Sequence, residues 1–101
     1  STGRVIHEAA SNCGAQSAGR NAGAIAPGMN ADLVALDTDH INLAGSCNDT
    51  LLDSFIFAGD SSMVRDVWAA GRHVVREGRH IARDAITATY RKTTARLMDI
   101  L

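Results

Sequence analysis

The stretch Gly23-Ala24-Ile25-Ala26-Pro27-Gly28-Met29-Asn30-Ala31-Asp32-Leu33-Val34-Ala35-Leu36-Asp37 decides the architecture. Its first half forms a turn. Pro27 presets φ for the second position of a tight turn, and Gly28 supplies the positive φ that the third requires. Residues 31–37 then read as a strand. Leu33-Val34-Ala35-Leu36 is apolar without alternation, which predicts burial on both faces. Such a strand needs covering partners, so the flanking segments are read for what they can provide.

Upstream, residues 3–18 read as helical. Val5, Ile6, Ala9, Ala10 and Cys13 form one apolar stripe, with Thr2 placed to cap the start. Asn12 and Gly14 predict a break into a longer helix and a short one, and Gly19 a stop. Downstream, residues 38–50 read as a polar surface loop. Leu52, Phe55 and Ile56 predict a short helix ended by Gly59. Val64–Ala69 and Arg72–Arg76 predict a β-hairpin turning at Ala70-Gly71. Ala70 is a poor fit to a turn in which both central residues need positive φ. Glu77-Gly78 closes the second arm. From about Asp84, Ile86, Tyr90, Thr93, Leu97, Ile100 and Leu101 line one side of a last helix. Its four threonines lower helix propensity, so packing must hold it.

The 101 residues fit one small domain. A hydrophobic share of 46% argues against disorder. Aromatics at 4% and abundant alanine predict a thin core. The order helix, strand, short helix, hairpin, helix leaves three strands, too few to close a sandwich or a barrel. The expected fold is therefore an incomplete α+β unit, marginal alone and in need of a partner. A net charge of −1, with acids and bases interleaved, excludes an electrostatic nucleic-acid binder or a polybasic membrane binder. No apolar run approaches the roughly 20 residues of a membrane span. Ser1-Thr2-Gly3-Arg4 has no signal-peptide pattern, and the chain is expected to be cut from a longer one. Cys13 and Cys47 lie in no metal or redox spacing and read as reduced thiols. Asn48-Asp49-Thr50 reads as a chance glycosylation sequon.

Metal sites need three or more converging ligands, often in HxH or HExxH spacing. His7, His40, His73 and His80 offer neither pattern and read as solvated or cap-bonded. Asp37, Asp39 and Asn42 resemble a calcium loop only until Ile41, which replaces an oxygen ligand. They read as polar turn residues, and Asp53 and Asp60 as caps. Ser17-Ala18-Gly19 lacks the frame of a nucleophile elbow. Gly71 and Gly78 fit turns, not a phosphate loop. Arg65, Arg72, Arg76, Arg79 and Arg83 alternate with Asp66, Glu77 and Asp84, a solvated mixed-charge face. Trp68, the one tryptophan, reads as a core anchor. No catalytic, cofactor-binding or metal-ligating residue is assigned.

Gly23-x-Ile25-x-x-Gly28-x-x-Ala31-Asp32-Leu33-Val34 resembles the amidohydrolase superfamily at the point where the chain leaves its catalytic barrel for a small β-sandwich. Ala10-Ser11-Asn12-x-x-Ala15-x-x-x-Gly19 resembles the helix pair before it, with Cys13 and Gly14 departing from the usual Asn-Pro. Val64-x-x-Val67-Trp68-x-x-Gly71-x-x-Val74 resembles the closing hairpin. The 36–45, 51–60 and 64–80 segments narrow the resemblance to the deiminases of that superfamily that act on formimidoyl substrates.

The resemblance implies the C-terminal segment of a zinc-dependent hydrolase of histidine degradation, cytoplasmic and homo-oligomeric. Residues 1–22 would be terminal helices flanking a TIM barrel. Residues 23–83 would be part of a composite β-sandwich with an inserted loop and short helix, and 84–101 a C-terminal helix. Zinc ligands and catalytic groups would lie upstream, so none is carried onto this chain. The rest of the parent chain would be the partner, with no role for nucleic acid or membrane. The alternatives are the same segment of an imidazolonepropionase or a cytosine/guanine-type deaminase, or a free-standing dimerisation module.

Overall fold

In the computed structural model, which describes residues 1–101, α1 runs unbroken from Thr2 to Ser17. Asn12 and Gly14 do not divide it. The space around Gly14 is open, so nothing forces the backbone to bend there. The cap is Ser1, one residue earlier than expected: its Oγ accepts the Arg4 amide at 3.2 Å. Gly19 ends the helix as expected. Its φ of +68° lets the Arg20 amide reach back to the Ala15 carbonyl at 2.9 Å.

The Ala26–Met29 turn forms around Gly28 at φ +81°, closed by a 3.2 Å hydrogen bond from the Met29 amide to Ala26. β1 (Leu33–Leu36) follows. Residues 38–50 are not a plain loop. They hold a 3-10 turn at Ile41–Leu43 and the first turn of α2 (Asn48–Ala58). Leu43, a lone apolar residue in a polar run, is only 1% exposed. A single hydrophobe creates no periodicity, which is why the sequence hides it. α2 packs against α1 at Gly3, where a Cβ would lie 2.8 Å from Asp53 Cα.

A second 3-10 turn at Ser61–Met63 leads into β2 (Val64–Ala69), β3 (Arg72–Arg76) and β4 (Arg79–His80). The sheet is antiparallel in the order β1-β2-β3-β4. Both hairpin arms lie where expected. The fourth strand was not foreseen, because Glu77 and Gly78, at φ +49° and +79°, turn the chain back rather than ending the arm. The sheet carries two irregularities. Arg65 is the extra residue of β2 opposite β1, and Val74 is the extra residue of β3 opposite β2. β1 is an edge strand and Val34 is 59% exposed, which corrects the expectation of a strand buried on both faces.

α3 (Arg83–Ile100) completes the chain, and none of its residues is buried. Leu43 and Met63 are the only buried hydrophobic side chains. The accessible surface of 7529 Å² exceeds the ~5,500 Å² typical of a compact chain of this mass. The radius of gyration, 17.1 Å, exceeds the ~13 Å of a compact domain. The fold is thus a small α+β unit of three helices and a four-stranded sheet, with a thin core and open apolar faces.

Candidate functional site

Three polar clusters bring chemistry-bearing side chains together, and each one's hydrogen bonding decides what it can do. In the first, His40 Nε2 lies 2.9 Å from Ser62 Oγ, which donates to the Asp60 carboxylate. The residue types match a hydrolytic triad, but the proton order does not. The Asn42 amide donates to His40 Nδ1 at 3.1 Å, so that nitrogen is the acceptor and Nε2 carries the proton. The imidazole therefore donates to Ser62 and cannot take its proton. Asp60 also accepts the Ser62 amide at 2.9 Å and caps the 3-10 turn. The Ser62 hydroxyl and amide hold its carboxyl below the usual carboxylate range. This cluster fastens the turn before β2. It confirms Asp60 as a cap and His40 as cap-bonded, and Ser62 is the member that no sequence motif marked.

The second cluster lies on the sheet. His73 Nε2 is 2.8 Å from Asp66 Oδ1, and the imidazole stacks on Trp68. Trp68 is half-buried, so it is a cross-strand stacking partner rather than the core anchor expected of it. His73 is hydrogen-bonded to Asp66 and stacked on Trp68, neither solvated nor a cap.

The third cluster is a latch. Arg20 grips Asp32 with Nε and Nη2 at 2.7–3.0 Å, and Asp32 Oδ1 accepts the Ala70 amide at 2.8 Å. The Gly71 amide donates to the Ala31 carbonyl at 2.9 Å. Asp32 of the deciding stretch thereby clamps the hairpin tip to the end of α1. The Ala70 amide, and then the Arg20 guanidinium, hold its carboxyl below the usual range.

A shallow polar cleft of about 330 Å³ adjoins the first cluster at Ser62 and is lined otherwise by Asp37, Asp39, Val64, Arg65, Glu77 and Gly78. Asp37 accepts the Asp39 amide at 3.0 Å, the turn role expected of it. Asp53 does not cap its own helix. It accepts the Gly3 amide at 2.7 Å and so satisfies the start of α1. His80 Nδ1 accepts the Ala82 amide at 3.0 Å, which closes the turn before α3 without capping that helix. Arg65 pairs with Asp66 and Arg79 with Asp84, as a mixed-charge face requires. Cys13 and Cys47 are exposed and unpaired. Nowhere do three or more His, Cys, Asp or Glu side chains converge in a way that could hold a metal ion. No helix is long and apolar enough to cross a membrane.

No protein-family model matches the chain. Its sequence is, however, similar to part of a deiminase. That relative is the formimidoylglutamate deiminase of Pseudomonas aeruginosa, 40% identical over 97 residues. The match takes in 96% of this chain but only 21% of the relative, so the chain spans about a fifth of the curated protein it resembles.

Proposed function

We propose that these residues serve as the C-terminal structural segment of a metal-dependent hydrolase acting on C–N bonds. The reaction would convert N-formimidoyl-L-glutamate and water to N-formyl-L-glutamate and ammonia, in histidine degradation. The observation that carries this is the 40% identity to formimidoylglutamate deiminase over nearly the whole chain. The open sheet and the thin core support it, because a segment made to be covered by the rest of a subunit leaves such faces bare.

In this reading residues 1–22 flank a TIM barrel, residues 23–83 complete a β-sandwich, and residues 84–101 form a terminal helix. The zinc of the parent enzyme does not fit this chain. Both His40 nitrogens and His80 Nδ1 are held in local hydrogen bonds, and His73 Nε2 is held by Asp66. Its ligands would be supplied by the other residues of the parent, which is cytoplasmic. The contribution of this segment is to brace: the Arg20–Asp32 latch sets the hairpin tip against the start of β1, and the Asp60–Ser62–His40 chain ties the turn before β2 to the 3-10 turn after β1.

A chimera tests this. Replacing the 97 matched residues of the Pseudomonas enzyme with this chain's should keep ammonia release from N-formimidoyl-L-glutamate within about tenfold. Deleting the matched residues should abolish it. A soluble chimera that releases no ammonia overturns the reading. So does turnover by the 101-residue chain alone with zinc, at roughly 1 s⁻¹ or faster.

A further inference from the structure

Leu43 and Met63, the buried hydrophobic side chains, each sit on a 3-10 turn, one following β1 and the other preceding β2. His40 caps the first turn, Asp60 caps the second, and Ser62 joins the two caps. Both nitrogens of the His40 ring are in use. Nε2–H donates to Ser62 Oγ at 2.9 Å, and the bare Nδ1 accepts the Asn42 amide at 3.1 Å. An imidazolium carries a proton on both nitrogens and can accept from neither side. Its Nδ1–H would meet the Asn42 N–H head to head, two donors without an acceptor. To escape, the ring must turn, and the Ser62 bond goes with it, since both bonds fix one ring orientation.

The charges around the ring do not forbid that proton. Asp60 stands behind Ser62, and its carboxyl, held below the usual range, stays ionised over the ~pH 5–8 interval in which imidazoles titrate. Asp37 and Asp39 precede the ring in the chain and line one cleft with Ser62, Glu77 and Arg65, the only cation there. On α2, which packs against the first turn, Asp49 is held by Arg4 and Asp53 by the Gly3 amide.

We propose that His40 is a proton-operated clasp: neutral, it fastens the Leu43 turn to the Met63 turn, and charged, it lets go of the Asn42 amide and parts the two turns. The Leu43 amide keeps its 2.9 Å bond to the His40 carbonyl, so the first turn itself survives and only its fastening opens. His73 is the contrast within the same chain. Its Nε2 meets the Asp66 carboxylate, so charging that ring removes no amide bond. The clasp rests on these hydrogen bonds and does not depend on the deiminase reading.

Nitrogen-15 NMR of the 101-residue chain tests it. At about pH 8 the His40 ring should carry its proton on Nε2 and none on Nδ1. Between about pH 8 and about pH 5 the Asn42 amide should lose protection from exchange with water, corrected for the intrinsic rate, by about three- to tenfold and in step with charging of the ring. The Leu43 amide should keep its protection. His40→Asn supplies a cap oxygen that does not titrate and should hold Asn42 protected at both pH values, whereas His40→Ala should leave it unprotected at both. A ring protonated on Nδ1 at about pH 8 overturns the proposal. So does Asn42 protection that is absent or independent of pH in the wild type, that falls equally in His40→Asn, or that persists in His40→Ala. The ring spectrum and the wild-type exchange decide the matter even where a variant fails to fold.

Discussion

The imidazole of His73 lies over the indole of Trp68, with ring centroids 4.4 Å apart and planes 9° from parallel. The two residues face each other across β2 and β3, so the stack bridges the hairpin near its tip. Stacked aromatic pairs contribute about 0.5–1.5 kcal/mol beyond their buried area. A double-mutant cycle of Trp68→Ala and His73→Ala, read by urea denaturation, should return a coupling energy in that range. A coupling near zero would mean that the two rings are neighbours without interaction. Because Trp68 is half-buried, its truncation alone should cost about 1.5–3 kcal/mol, below the ~3–5 kcal/mol of a core tryptophan.

Asp32 makes folding sensitive to acid. Its carboxyl sits below the usual range, held there by the Ala70 amide and the Arg20 guanidinium. A folded pKa lower than the unfolded one gives stability that is full above the unfolded value and is lost as pH falls through the folded one. The melting temperature of the wild type should therefore drop as pH falls below about 4. Asp32→Asn should melt lower at neutral pH and show a shallower acid dependence. Parallel curves for the two proteins would exclude the latch as a source of the effect.

Two glycines in α1 should respond with opposite sign. A Cβ at Gly3 would meet the α2 backbone at Asp53, so Gly3→Ala should destabilise by about 1–3 kcal/mol. Gly14 faces open space inside a helix, and Gly14→Ala should stabilise by about 0.5–1 kcal/mol. Thermal or chemical denaturation of both variants checks the pair, and a loss of stability at Gly14 would contradict the unbroken helix.

Ala70 is held at φ +50°, where a Cβ is unfavourable. Ala70→Gly keeps the amide that donates to Asp32 and removes the clash. It should gain roughly 1 kcal/mol in a denaturant titration. A neutral or destabilising result would show that the turn carries no strain.

Local chemistry made much of this fold readable. Gly19, Pro27-Gly28, Gly59 and Ala70-Gly71 punctuate the chain where turn residues predict they should. What stayed hidden depends on contacts between distant segments. Leu43 gives no periodic signal because one apolar residue has no period. β4 is two residues long and rests on the Glu77-Gly78 turn, which reads equally well as an end. Val34 lies in an apolar run that predicts covering, yet nothing in these residues covers it. Around the polar clusters, Asp60 and His40 follow from capping chemistry. The Arg20–Asp32 latch and the Asp66–His73 pair do not, because only folding brings Arg20 to the strand and His73 to Asp66.

The extra residue in β3, Val74, governs which way the hairpin's side chains face. In an even ladder His73 and Val75 would share one surface. With Val74 inserted, His73 pairs with Trp68 while Val75 pairs with Val67, so aromatic and aliphatic rows part to opposite sides. Deleting that one valine would leave His73 and Val75 consecutive and still opposite Trp68 and Val67, a regular ladder with both rows on their present sides. Deleting either neighbour, His73 or Val75, would instead remove a paired residue, so a single-codon loss is best tolerated at the bulge.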